Sequence, residues 1–156
     1  MEWEMENTTK KIIAEFAETI EMFGLTPLEA RLFAYLYLTE KTMTLDEMSE
    51  ALGKSKTSMS TSIRSLAEHN LVSRVWIKGV RKDLYQANDQ LYKLFTSSYK
   101  NKWLEAVEHR QLALTEIKEQ IYRSNTFKNS PELPVINKKL DEIITFHQQV
   151  DQFFRK

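Results

Sequence analysis

The sequence predicts a mainly α-helical fold that carries one small β-hairpin. Its 156 residues include only three glycines and three prolines, so long stretches are free of helix breakers. Capping boxes of the form Thr-x-x-Glu begin at Thr26 and Thr44, and apolar residues at helical spacing follow each one. Residues 72–87 alternate in the manner of two paired strands around Gly79.

Two helices are expected ahead of residue 40. The first covers residues 1–24 and ends at Gly24, and its apolar seam includes Ile13, Phe16 and Ile20. The second begins at the Thr26 capping box, with a proline in its first turn, where no N–H is needed. We expect the first to be an N-terminal dimerisation helix, because a small neighbouring domain cannot cover every apolar seam.

The next two helices form a helix-turn-helix unit. Thr44 caps the first of them, Gly53 supplies the left-handed residue that ends it, and Ser55 caps the second. Two helices joined by a turn of about three to four residues containing glycine are typical of this unit. Its second helix usually enters the major groove of DNA with its N-terminal residues nearest the bases.

That second helix has the chemistry of a DNA-reading surface. No acid occurs between Glu50 and Glu68, and Met59, Ile63 and Leu66 fall on one helical face. Short hydroxyl donors and cations, which suit phosphates and base edges, occupy the rest of the helix and its start. The candidate DNA contacts here are Lys54, Ser55, Lys56, Thr57, Ser58, Ser60, Thr61 and Arg64. A solvated Ser/Thr-rich helix is the alternative.

The hairpin that follows is predicted to be a basic wing. Strands are expected at residues 72–78 and 81–87, joined by a type II′ turn at Gly79-Val80. Val75, Ile77 and Leu84 are expected to face the helices. The cations near the tip are further candidate DNA contacts: Arg74, Lys78, Arg81 and Lys82. Helix, helix and hairpin in this order predict a winged helix-turn-helix domain over residues 25–88.

The distribution of charge favours DNA although the formal net charge is zero. Residues 51–82 hold seven cations and one acid, a net charge of +6. Residues 1–50 carry −7, and residues 83–156 carry +1. DNA binding requires a local basic surface rather than a basic protein, and an acidic remainder weakens non-specific adhesion.

Residues 89–156 are predicted to be a helical dimerisation and effector region. A long helix is expected from about residue 89 to 124, followed by a linker at 125–134. The last helix carries a stripe at spacings of three and four: Ile136, Leu140, Ile143, His147, Val150 and Phe154. We expect this stripe, with the seam of the first helix, to form a homodimer that presents two recognition helices to a palindromic operator. A hairpin with the preceding helix and a monomeric bundle are alternatives.

Four segments of the chain resemble the GbsR-type branch of the MarR-like winged-helix regulators. They are residues 26–37, 43–48, 52–61 and 75–85, and the likeness extends over about residues 12–123. Its most specific parts are the Ser-Lys-Thr-Ser-Met-Ser-Thr helix and the Trp-x-Lys-Gly-Val-Arg-Lys wing. The resemblance implies a bacterial cytoplasmic homodimer that represses genes for choline uptake and its oxidation to glycine betaine, or for osmolyte import. It also implies that choline is a possible effector.

A quaternary ammonium effector would need a box of aromatic faces. Such a cation offers no hydrogen-bond donor, so cation–π attraction must replace its hydration. The aromatic candidates are Tyr37, Trp76, Tyr99 and Trp103. Aromatic residues at helical spacing are more often part of a core or a dimer seam.

Other classes of protein are disfavoured. The sequence has no catalytic motif, and its three histidines, His69, His109 and His147, are too dispersed for a metal site, so we expect neither an enzyme nor a cofactor. No apolar run has the length of a membrane span, and the acidic N-terminus does not resemble a signal peptide, which suggests the cytoplasm and no membrane partner. The remaining rival is a winged-helix protein-interaction module without DNA binding. Acids on the fourth helix, or a wing without cations, would favour that rival.

Overall fold

The computed structural model describes residues 2–156, which form six helices and one two-stranded antiparallel sheet. The elements in order are α1 (Glu2–Glu21), α2 (Pro27–Thr39), α3 (Leu45–Leu52), α4 (Lys56–Glu68), β1 (Val72–Val75), β2 (Leu84–Ala87), α5 (Leu91–Arg123) and α6 (Leu133–Arg155). They belong to two compact units, the first ending at Phe95 and the second running from Thr96 to Lys156. The predicted fold class, mainly α with a β-hairpin wing, is confirmed.

Both predicted capping boxes are formed. The Thr26 hydroxyl accepts from the N–H of Glu29 at 3.2 Å, and the Glu29 carboxylate accepts from the N–H of Thr26 at 3.0 Å. Thr44 and Glu47 repeat this exchange at 3.2 and 3.1 Å. Gly53 ends α3 with a φ of 65°, and its N–H donates to the Ser49 carbonyl. These local bonds fix where α2 and α3 start and how the chain turns into α4.

One hydrophobic core holds the first unit together. Its fully buried large side chains come from α1, α2, α3 and α4 and from the segment that enters β1: Ile20, Leu32, Phe33, Leu36, Met48, Met59, Leu66 and Leu71. Burying each such side chain contributes about 1.5 to 3 kcal/mol. The predicted inner face of α4 therefore lies in this core, so the opposite face of the helix is held at the surface.

The apolar seam of α1 is covered within the chain itself. Ile13 and Ile20 are buried against the core, and the ring of Phe16 lies 6.2 Å from that of Phe33 and 5.4 Å from that of Tyr37. Ile13, Phe16 and Ile20 were predicted to lie in a dimer interface. Within the chain Ile13 and Ile20 are buried and Phe16 is partly buried, because α2 packs along α1, and a contribution of these residues to a dimer stays a prediction.

The hairpin keeps the predicted register but is shorter than predicted. Val72 pairs with Ala87 and Val75 with Leu84, a register centred between Gly79 and Val80. Extended to the tip, the same register would set Lys78 directly opposite Arg81, and like charges in that position destabilise a strand pair. Residues 76–83 instead form a loop.

The turn within this loop also differs from the prediction. The N–H of Val80 donates to the Ile77 carbonyl at 3.1 Å, and Gly79 has a φ of 85°. Gly79 is therefore the third residue of the turn, which corresponds to type II rather than type II′. Leu84 faces the core as predicted, but Ile77 is 44% exposed, contrary to the prediction, because it lies beyond the last strand pair.

The second unit is an antiparallel pair of helices. Lys118 on α5 donates to Asp141 on α6 at 2.6 Å, and the rings of Trp103 and Phe154 stack with centroids 6.2 Å apart. Leu140 is buried, so part of the predicted stripe of α6 is used inside the chain, as in the hairpin alternative. The other predicted stripe residues are exposed or half-buried: Ile136, Ile143, His147, Val150 and Phe154. Of the predicted linker, 125–134, the last two residues belong to the first turn of α6.

One carboxylate in the first unit is buried and titrates below its ordinary range. Burial raises the pKa of Glu29, but the nearby hydroxyl of Ser65 on α4, the hydrogen bond from the N–H of Thr26 and the charge of His69 outweigh burial and lower it. A lowered carboxyl pKa stabilises the fold above the pKa of the unfolded chain. This contribution disappears as the pH falls through the pKa of the folded protein.

Replacing Glu29 by Ala is expected to lower the free energy of unfolding by about 1 to 2 kcal/mol at neutral pH, because α2 loses half of its capping box. In acid the carboxyl of the wild-type protein is itself protonated, so the difference in free energy of unfolding between wild type and variant should shrink. Urea unfolding at neutral and at acid pH measures this difference, with the exposed Glu15 replaced by Ala as the control. An equal loss at both pH values would contradict the role assigned to the ionised carboxylate.

Candidate nucleic-acid interface

The outer face of α4 presents cations and hydroxyls to solvent. Lys56, Thr57, Thr61 and Arg64 are exposed, and the acid-free start of the helix adds the partial positive charge of its unpaired N–H groups. The Thr61 hydroxyl donates to the Thr57 carbonyl at 3.1 Å, so its lone pairs remain available as acceptors. This face therefore offers both charged donors and neutral acceptors, the groups that hydrogen-bond with base edges.

Two of the predicted contact residues have a structural task at the start of α4. The Ser55 hydroxyl accepts from the N–H of Ser58 at 3.1 Å and donates to the Ser58 hydroxyl at 2.9 Å. Ser58 and Ser60 are half-buried, and Lys54 and Ser55 are exposed in the turn before the helix. The capping role of Ser55 was predicted from the sequence, but that of Ser58 was not, because one residue type serves both capping and base contacts.

Asp46, in the first turn of α3, joins the recognition helix to the wing. One of its carboxylate oxygens accepts from Lys56 of α4 at 3.4 Å, and the other accepts from Lys82 of the hairpin loop at 2.9 Å. Hydrogen bonds from Lys82 and Lys56 lower the pKa of Asp46, and the bond to Asp46 raises the pKa of Lys82. All three groups are exposed, so the bridge orients the lysines more than it stabilises the fold.

A second acid lies at the base of the wing loop. Asp83 forms an ion pair with Arg74 of β1. Counting Asp46 and Asp83 with residues 51–82 reduces the local charge from +6 to +4. Both acids lie outside residues 51–82 in the sequence and approach the basic segment only in the fold. Within residues 2–156, the predicted contact cations without an ion pair are Lys54, Arg64, Lys78 and Arg81.

Backbone hydrogen bonds hold the wing beside the helix-turn-helix unit. The N–H of Met43 donates to the Tyr85 carbonyl and the N–H of Tyr85 donates to the Met43 carbonyl, each at 2.9 Å. The segment before α3 is thereby fixed to β2. A cleft of about 280 Å³ lies where the two meet, and its lining includes Lys56, Arg81 and Lys82. The structure thus brings cations from α4 and from the wing onto one surface.

The aromatic residues predicted to hold an effector have separate settings. The Tyr37 ring packs against Phe16 and Phe33 and also lines a hollow of about 750 Å³. Trp76 is 81% exposed in the hairpin loop. In the second unit Trp103 stacks on Phe154, and Tyr99 is half-buried. In the first unit, therefore, Tyr37 and Trp76 do not form a shared box of ring faces.

Residues 2–156 contain neither a cluster of metal-binding side chains nor a membrane-spanning helix. No group of three or more histidine, cysteine or acidic side chains in that range could hold a metal ion. No helix there is both long enough and apolar enough to cross a membrane.

Comparisons with known proteins identify the class of regulator. The family model described as the sugar-specific transcriptional regulator TrmB matches residues 20–90. The HTH-type transcriptional repressor OpcR of Bacillus subtilis (strain 168) is 29% identical over 140 residues, covering 90% of this chain and 75% of OpcR. The HTH-type transcriptional repressor GbsR of the same organism is 34% identical over 112 residues, covering 72% of this chain and 62% of GbsR.

The fold has a solved counterpart as well. The crystal structure of a transcriptional regulator aligns with a TM-score of 0.60 at 17% sequence identity, covering 95% of this chain and 93% of that one. The family match begins near the end of α1 and includes the helix-turn-helix unit and the wing. The chain is therefore a winged helix-turn-helix transcriptional regulator of the GbsR type, and it is a DNA-binding regulator rather than an enzyme.

Proposed function

We propose that this protein is a cytoplasmic repressor of osmolyte genes, such as those for choline or glycine betaine uptake or synthesis. It binds a palindromic operator as a homodimer, and choline or a related quaternary ammonium compound is its effector. The observation that carries the proposal is the outer face of α4, where Thr57, Thr61 and Arg64 are exposed on the helix whose Lys56 shares a cleft with Arg81 and Lys82 of the wing. The likeness to two proteins named as repressors supports the direction of regulation.

Base reading is assigned to α4 and phosphate binding to the wing. The face of α4 fits the major groove, where donor and acceptor patterns distinguish all base pairs. Lys78 and Arg81 sit in an open loop without an acidic partner among the described residues, which suits contacts to the backbone. Backbone contacts strengthen binding to every sequence, whereas contacts to base edges discriminate between sequences.

The exposed apolar surface of the second unit supports a dimer. Two antiparallel helices cannot enclose a core, and several large apolar side chains of α6 remain exposed: Val135, Ile136, Ile143, Phe146 and Phe153. A second copy of this helix pair would cover them in a four-helix arrangement. The dimer interface is therefore proposed for α5 and α6, with α1 left in the core of its own chain.

The hollow beside Tyr37 is proposed as part of the effector site. Its walls include the carboxyl-bearing Glu40 and Asp89 as well as Tyr37, so a small cation would meet both negative charge and an aromatic ring. In the second unit, Trp103 and Tyr99 stay candidates for the same role.

Replacing Arg64 by Ala is expected to cost about 1 to 3 kcal/mol on the operator and less on random duplex, because a bidentate contact to a guanine is lost. Replacing Lys78 or Arg81 by Ala should weaken all sequences alike and lower the salt slope by about one each. The operator is first located by genomic footprinting with and without choline, and affinities are then measured by titration. Lys10 of α1, replaced by Ala, is the control. Equal losses on operator and random duplex for Arg64→Ala would contradict base reading.

Asp in place of Ile143, which is 45% exposed, or of the half-buried Val150 is expected to dissociate the dimer by placing an unpaired charge in an apolar interface. Operator affinity should fall as well, although no DNA contact has changed. Light scattering measures the oligomeric state, and Asp in place of the exposed Gln149 on the same helix is the control. Intact dimers in both variants would place the interface elsewhere.

Leucine in place of Tyr37 or Trp103 is expected to weaken choline binding about five-fold and to reduce the response accordingly, because leucine fills the space but offers no π face. Each aromatic face contributes on the order of 1 kcal/mol to binding a quaternary ammonium. Apo operator binding should change little. Choline binding is measured by calorimetry, with Tyr122→Leu on α5 as the control. Because coupling between two ligands is reciprocal, a saturating concentration of operator should weaken choline binding by the same factor by which choline weakens operator binding. If the wild-type protein binds its operator normally but millimolar choline produces no heat of binding, choline is not the effector of this regulator.

A further inference from the structure

The tip of the wing is apolar and has no core beneath it. Trp76 is 81% exposed, Ile77 is 44% exposed and Val80 is 41% exposed, and all three belong to the loop between β1 and β2. Trp76 has no ring contact with another aromatic residue within residues 2–156. Three neighbouring large apolar side chains in water indicate a surface that meets something else.

Cations surround this apolar tip. Lys78 and Arg81 lie among the apolar residues of the loop, and Arg74, which is paired with Asp83, lines the same hollow of about 520 Å³ as Trp76, Arg81, Lys82 and Asp83. Apolar side chains among an excess of cations match an occupant with anionic edges and an apolar interior. Duplex DNA has that structure, with phosphates along the groove edges and stacked bases between them.

The position of the tip also favours DNA as the occupant. Asp46 contacts Lys56 of α4 and Lys82 of the wing loop, so the loop and the DNA-reading helix share one surface. A duplex whose major groove holds α4 presents its minor groove next, across one phosphate strand. That groove is only about 6 Å wide, which admits a flat side chain from a narrow loop but not a helix.

We propose that Trp76 enters this minor groove and acts as an apolar wedge between two base pairs of the operator flank. Ile77 and Val80 cover the edges of the opened step, and Lys78 and Arg81 hold the phosphates on either side. This inference rests on the proposed operator binding and adds a residue that determines specificity. Apolar wedges of this kind partly unstack a base step and kink the duplex towards the major groove.

The wedge would read deformability rather than hydrogen bonds. Pyrimidine–purine steps such as TA open easily, whereas A-tracts are stiff. The operator flank should therefore favour a flexible step at a position where the protein makes no hydrogen bond to a base.

The first test compares duplexes and variants in pairs. The probes are duplexes of about 30 base pairs selected by the wild-type protein from a random pool, with a TA step or an A-tract placed at the flank. Trp76→Ala is expected to lose roughly ten-fold in affinity on the TA duplex and much less on the A-tract duplex. Trp76→Phe keeps an aromatic wedge and should retain most of the affinity. Trp3→Ala removes another tryptophan, 74% exposed on α1, and should change nothing.

The second test observes the insertion directly. With Trp3 and Trp103 replaced by Phe, Trp76 is the remaining tryptophan. Its emission should be quenched on the TA duplex, and 2-aminopurine placed at the step should brighten as the base unstacks. Circularly permuted fragments should show a bend that Trp76→Ala reduces.

Three results would overturn the wedge. One is that Trp76→Ala, shown by thermal unfolding to be folded, binds and bends the TA duplex as the wild-type protein does. Another is unchanged Trp76 emission on DNA that is bound normally. The third is an emission change with vesicles containing an anionic lipid and none with DNA, which would make the tip a membrane-binding surface. Failure of the wild-type protein to bind any duplex is a separate result, and it would remove the proposed function together with the wedge.

Discussion

The buried face of α4 is the constraint on which the first unit depends. Met59, Ile63 and Leu66 have lost nearly all contact with water, and this fixes the rotation of the helix about its own axis. A turn of the helix by one residue, 100°, would replace these side chains in the core with polar ones that have no partner there. The exposed position of Thr57 and Arg64 is therefore a result of apolar packing on the other side of the helix.

Features set by neighbours in sequence could be predicted, and features set by tertiary packing could not. The capping boxes at Thr26 and Thr44 and the hairpin register depend on residues a few positions apart, so the pattern was sufficient. The seam of α1 showed that something covers Ile13 and Ile20, but periodicity is the same whether the cover is α2 or a second copy. The wing loop could not be foreseen from alternation, since the absence of a surface beneath Ile77 is a property of the folded chain.

The candidate site divides in the same way. Cations and hydroxyls on α4 were recognisable because they share one short helix without acids. Asp46 lies 36 residues before Lys82, and no local pattern indicates that the two meet. Aromatic residues were the hardest to assign, because Tyr37 in a core, Trp103 in a helix pair and Trp76 on an open loop look alike in the sequence.

The bridge formed by Asp46 has a consequence for how the regulator searches the genome. A phosphate that approaches Lys56 or Lys82 must displace a carboxylate already bound there, and the same carboxylate repels the DNA backbone. In the proposed complex with random sequence, no base contact would compensate for that competition, so each encounter would be short. On the proposed operator, base contacts would hold the duplex long enough for both lysines to exchange the carboxylate for a phosphate. A single acid would thus favour dissociation from every sequence that the protein does not read.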